Sequence, residues 1–73
     1  MADKTVDARG LSCPEPVLLS KRAIESLDSG TVEVTVDTVT SRENVTRMAE
    51  ALSCRVEAKE ADDGNFVLNI RKG

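Results

Sequence analysis

Residues Thr31-Val32-Glu33-Val34-Thr35-Val36-Asp37 alternate with period two, and β-branched side chains dominate the run. Such a stretch folds as a half-buried strand, because branched side chains pack well on a pleated surface. On either side the apolar residues follow the helical period instead. Upstream, Val17, Ser20, Ile24 and Leu27 share one face with Ala23 beside them, while Lys21, Arg22 and Glu25 fall on the other. Leu18 lies with the charged residues, so an apolar side chain faces solvent; it reads either as a stray surface leucine or as a docking contact. Downstream, Val45, Met48, Ala49 and Leu52 stand at i, i+3, i+4 and i+7. A strand set between two amphipathic helices calls for a helix layer laid on a sheet.

The rest of the chain completes that layout. Thr5 to Ala8 is a short strand, Gly10 permits a turn, and Pro14 opens the first helix, which runs to about Asp28 and stops at Ser29-Gly30. Thr40 and Glu43 match a capping box for the second helix. Cys54 to Glu60 and Phe66 to Arg71 read as strands, joined by a turn signalled by Asp63-Gly64. The order β-α-β-α-β-β predicts one domain over residues 1–73, an α+β two-layer sandwich. Right-handed crossovers put both helices on one face of a mixed four-stranded sheet, with the first and third strands at its edges. Both helix N-termini and the Asp63-Gly64 turn then open at the same end of the sheet, where open α/β sheets place function. Cys54 belongs at the opposite end. A strand of about six residues spans roughly 20 Å, and a disulfide needs Cα atoms within about 7 Å. An internal Cys13–Cys54 bridge is therefore not expected.

Composition narrows the chemistry. The 73 residues include two cysteines and no histidine, which excludes a four-ligand Cys/His zinc site within one chain and Cys–His catalysis. No metal or other cofactor is implied. Net charge is -3 and Phe66 is the single aromatic residue. Nucleic-acid readers usually carry a basic face and stacking aromatics, so direct nucleic-acid binding is not expected. The N-terminus has no apolar signal-peptide core, and no run approaches membrane-spanning length. A reducing, cytoplasmic location follows, with no membrane partner.

Within that frame one segment carries chemistry: Asp7-Ala8-Arg9-Gly10-Leu11-Ser12-Cys13-Pro14-Glu15-Pro16. Proline suits the first turn of a helix, where its missing N–H costs nothing. Cys13 then reads as the N-cap, facing unsatisfied amides and the positive end of the macrodipole. That setting lowers a thiol pKa from about 8.5. Cysteine is a poor cap compared with Ser, Thr, Asp or Asn, so the choice points to reactivity. Glu15 suits the dipole but repels a thiolate, leaving a modest net depression. Asp7 is expected to bond turn amides near Gly10 as Asx residues do. Arg9 and Arg42 are the cations expected at the active end, either supporting a thiolate and steering an acidic partner or simply solvated. Cys54 reads as a small buried hydrophobe.

Asp7, Gly10, Cys13, Pro14 and Pro16 match the Asp-x-x-Gly-x-x-Cys-Pro-x-Pro signature, and the chain thereby resembles the TusA-like sulfur-carrier family, which includes SirA-type and YedF-type proteins. The resemblance implies a sandwich like the C-terminal domain of translation initiation factor 3. It implies that Cys13 accepts sulfane sulfur as a covalent persulfide from a cysteine desulfurase or rhodanese-like donor and passes it to an acceptor protein, in a sulfurtransferase-type role. Family destinations include tRNA thiolation, molybdenum cofactor assembly and sulfur oxidation. Glu43 to Glu50 looks more like the first domain of YedF-type proteins, linked to selenium metabolism and often followed by a DsrE-like domain. On that resemblance the chain is a free-standing carrier or one domain of a longer protein. A thiol redox or regulatory module, a purely docking domain, and an RNA-binding module are the competing readings. The first of these wants a resolving cysteine near Cys13, and residues 10–16 hold none.

Overall fold

The computed structural model describes residues 3–11 and 15–72. The elements are β1 (Lys4–Asp7), α1 (Glu15–Glu25), β2 (Gly30–Val36), α2 (Val39–Ala51), β3 (Arg55–Glu60) and β4 (Phe66–Lys72), in the expected order. They form one four-stranded sheet, ordered β1-β2-β4-β3. Strand β1 runs parallel to β2, with Val6 opposite Val34. Strand β4 is antiparallel to both neighbours, with Leu68 opposite Val34 of β2 and Ala58 of β3. The sheet is thus mixed, with β1 and β3 at its edges.

The period-two pattern of β2 buries Val32, Val34 and Val36, and that of β4 buries Phe66, Leu68 and Ile70. Ile24 of α1 and Val45 and Ala49 of α2 join these strand residues in one core cluster. The helices also touch one another, so they form a single layer over one sheet face. A shortest dimension of 16 Å agrees with two layers. Ser20, polar yet buried in α1, donates its hydroxyl to the Pro16 carbonyl at 2.7 Å, which removes the cost of an unpaired buried group. Edge strand β3 carries Arg55, Glu57, Lys59 and Glu60, charges that discourage edge-to-edge pairing.

Several boundaries differ from the sequence expectation, each for a physical reason. Helix α1 ends at Glu25 rather than near Asp28. The Lys72 ammonium donates to the carbonyls of Ile24 at 3.0 Å and Leu27 at 2.7 Å, capping this end from the far terminus. Gly30 is not the helix stop. It opens β2 with φ +135°, and a Cβ there would run into the Asp3 carboxylate, which itself accepts the Thr31 N–H at 2.8 Å. Strand β1 ends one residue early, although the Ala8 N–H still donates to the Thr35 carbonyl at 2.8 Å.

The start of α2 also corrects an expectation. Its N-cap is Thr38, not Thr40: Thr38 is extended (φ -135°, ψ 153°) and its Oγ1 accepts the Ser41 N–H at 3.0 Å. Thr40 already lies in the first turn, and Glu43 approaches Arg42 at 3.9 Å instead of reaching back to a cap. At the other end Ser53 takes φ +64°. Its N–H donates to the Glu50 carbonyl, and the Cys54 N–H donates to the Ala49 carbonyl, both at 3.0 Å. This is a Schellman arrangement. Leu52 is therefore the C-cap, 37% exposed, and not a core residue.

Candidate functional site

The C-terminal ends of β1 and β2 lie side by side, because Asp7 pairs with Thr35 in parallel register. The hairpin joining β3 to β4 closes at the same end, since Phe66 lies opposite both Val36 and Glu60. Three connections therefore meet there: the β1–α1 segment carrying Cys13, the β2–α2 turn and the Asp63-Gly64 hairpin. Ser12, Cys13 and Pro14 lie outside the described residues, and with them the expected Cys13 cap and Pro14 helix start.

Around that segment the described residues form a charged, exposed rim. The Arg9 guanidinium forks onto the Asp7 carboxylate, Nε to Oδ1 at 2.9 Å and Nη2 to Oδ2 at 2.8 Å. The Arg9 backbone N–H adds a bond to Asp7 Oδ1 at 3.2 Å, the Asx-type contact expected of Asp7. The side-chain bonds from Arg9, helped by that amide, hold the Asp7 carboxyl well below its usual range, at a pKa of about 2. Asp7 in turn raises the Arg9 pKa, with smaller contributions from Asp63 and Asp37. Arg9 is thus a cation set among three carboxylates, and much of its charge is answered before any thiolate is considered.

Gly10 turns with φ +76°. Its amide does not go to Asp7; it donates to Asp37 Oδ2 at 2.8 Å, across 27 residues. Nothing lies within 4 Å of where a Gly10 Cβ would stand, so glycine is required here for backbone conformation and not for space. Leu11 is half-buried against the core. Beyond the segment, Glu15 is exposed in the first turn of α1 and Pro16 is buried. Leu18 is 52% exposed, one face round from Ile24. Leu19 and Val39 are also exposed.

Arg42 reaches the same end of the sheet from α2. Its guanidinium sits 4.9 Å from the centre of the Phe66 ring, so the only aromatic side chain serves as its seat. Cys54 is 7% exposed and lies at the opposite end of the sheet, its Sγ 3.8 Å from the Leu52 carbonyl. A shallow depression on the uncovered sheet face, lined by Thr31, Arg55, Asn69 and Arg71 among others, also lies at that opposite end. Among the described residues, no group of three or more Cys, Asp or Glu is placed to hold a metal ion, and no helix is long and apolar enough to cross a membrane.

The structure thus gathers Asp7, Arg9, Gly10, Glu15, Pro16 and Arg42 at one end of the sheet. Asp37 belongs with them and was not singled out from sequence. The signal for it was topological: an acidic residue closing the strand whose end faces the Gly10 turn.

Comparison with known proteins agrees with this architecture. The profile of the family described as Sulfurtransferase TusA matches residues 4–72. The chain is 37% identical over 73 residues to a candidate sulfur carrier protein of Methanocaldococcus jannaschii, covering 99% of this chain and 97% of that one. It is 31% identical over 71 residues to the sulfur carrier protein TusA of Pseudomonas syringae, covering 96% and 84%. The crystal structure of a SirA-like protein from Desulfitobacterium hafniense superposes with a TM-score of 0.92 at 39% identity, covering 96% of this chain and 97% of that one.

Proposed function

The chain belongs to the sulfurtransferase TusA family, and from that premise we propose that it carries sulfane sulfur as a persulfide on Cys13 and relays it between proteins. The observation that carries this reading is the burial of the other thiol. Cys54 is buried in the core at the far end of the sheet, which leaves Cys13, two residues ahead of α1, as the one cysteine available for exchange.

The chemistry asks little of the rest of the chain. The Cys13 thiolate attacks the outer sulfur of a donor persulfide. A new S–S bond forms to Cys13, the donor's S–S bond breaks, and the donor's inner sulfur departs with the electron pair as a thiolate. No net oxidation occurs, and the rate follows thiolate fraction, nucleophilicity and access. The chain has no histidine, so acid or base assistance comes from the partner. Pro14 and Pro16 stiffen the carrier segment, Gly10 gives a partner backbone room to approach, and Leu18 offers an apolar docking contact beside Lys21 and Arg22.

The donor is a cysteine desulfurase or rhodanese-like protein. The resemblance of Glu43 to Glu50 to YedF-type chains favours an acceptor of DsrE-like type and a sulfur or selenium pathway other than tRNA thiolation. The carrier unit spans residues 1–73 and works in the reducing cytoplasm, where a free thiol persists.

Intact mass spectrometry after incubation with a cysteine desulfurase and cysteine tests the reading. Wild type and Cys54→Ser should each gain one reducible sulfur, about 32 Da, and Cys13→Ser should gain none. Loading of Cys13→Ser, or no loading of wild type by either the desulfurase or inorganic polysulfide, would overturn it.

A further inference from the structure

Residues 12–14 are bracketed by anchors of two kinds. Leu11 is half-buried against the core and Pro16 is buried in the first turn of α1. Both are apolar contacts, which hold position without fixing direction. The bond from the Gly10 N–H to Asp37 Oδ2 is different: it is directional, 2.8 Å long, and joins the first crossover to the end of β2. Thr38, the next residue, is committed to capping α2, so Asp37 is held between the last residue of β2 and a fixed helix start. Gly10 presents its amide from a positive-φ turn that other residues rarely adopt.

A carboxylate is an awkward neighbour for a nucleophilic thiol, since a like charge disfavours the thiolate. With Asp7 and Asp63 already near Arg9, a third acid at this end is costly if its role is electrostatic. Its geometry accounts for it otherwise. We propose that Asp37 is a positioning residue: it fixes the Gly10 turn and so sets how the chain enters the Cys13 segment ahead of α1. This rests on the carrier reading of Cys13. It gives the β2–α2 connection a part in the reactivity of a thiol 24 positions away in sequence.

Asp37→Ala and Asp37→Asn separate position from charge. An asparagine carbonyl can still accept the Gly10 N–H but carries no charge. Alkylation of Cys13 by iodoacetamide, followed by peptide mapping across pH, reports its apparent pKa. Sulfur loading reports the transfer, and thermal unfolding confirms that each variant is folded. Positioning predicts that Asp37→Ala moves the Cys13 pKa upward, toward the free value of about 8.5, and slows loading by about tenfold. Asp37→Asn should stay close to wild type in both. A downward move in both variants would show that charge dominates, and no change in either would show that the bond is idle; each overturns the proposal. In the wild-type protein the Gly10 amide must exchange with solvent more slowly than an open amide, and free exchange also overturns it. A wild type that alkylates normally but never loads sulfur would sink the carrier reading alone, because the alkylation profiles still decide the role of Asp37.

Discussion

Asp7 and Arg9 are both exposed, yet their fork geometry makes them a defined pair and not a passing contact. Bidentate guanidinium–carboxylate bonds are the strong form of a surface ion pair. The depressed pKa gives the pair a pH window. A carboxylate with a lowered folded pKa contributes fully above its ordinary value of 3.8, and that contribution disappears as pH falls through about 2. A carbon-detected NMR titration of the Asp7 carboxyl should therefore place its midpoint at about 2. In Arg9→Ala the midpoint should rise toward 3.8, because the bonds from Arg9 are the largest cause of the shift. A midpoint indifferent to that substitution would mean that the pair does not persist in solution.

At the scale of elements, the two threonines before α2 show how a helix selects its cap. Both are cap-competent residues, and only Thr38 stands where the chain is still extended while its Oγ1 reaches the N–H three residues on. Replacing Thr38 with alanine should cost about 1 kcal/mol in urea unfolding. Thr40→Ala, inside the first turn and exposed, should stay within about 0.5 kcal/mol. Equal losses at the two positions would refute this assignment. The C-terminal end of α2 uses Ser53 in the left-handed region, where glycine is usual. The Schellman bonds and the return of Cys54 into the core hold it there.

Across the whole molecule, the last strand locks the first helix. Lys72, at the end of β4, places its ammonium on one carbonyl in the last turn of α1 and one just past it, 48 and 45 residues away in sequence. Cations at a helix C-terminus are favoured by the macrodipole and by the unsatisfied carbonyls. Lys72→Met keeps the apolar stem and removes the charge and donors. It should lower unfolding stability by about 1–2 kcal/mol and speed amide exchange at the end of α1. Unchanged stability would show that water caps these carbonyls equally well. The same closure brings the carrier end together: the parallel β1–β2 pair and the β3–β4 hairpin meet at one end of the sheet, so that the connections bearing Gly10, Asp37 and Asp63 lie at that end.

Period-two and period-3.6 patterns are local properties of a chain, and they sufficed for the kinds of elements, their order, and the buried faces of α1 and β2. The same locality made the Asp7 contact legible, since an Asx bond spans two residues, and it made the Cys13-Pro14-Glu15-Pro16 segment stand out against a chain without histidine. Tertiary structure alone decided which of two threonines caps α2, that Lys72 closes α1, that Arg42 rests on Phe66, and that the Gly10 amide belongs to Asp37. Each of these turns on where an element ends to within one turn, or on a hydrogen bond between residues tens of positions apart. Such partners compete with water and with many alternatives along the chain, and packing of the helix layer on the sheet selects among them.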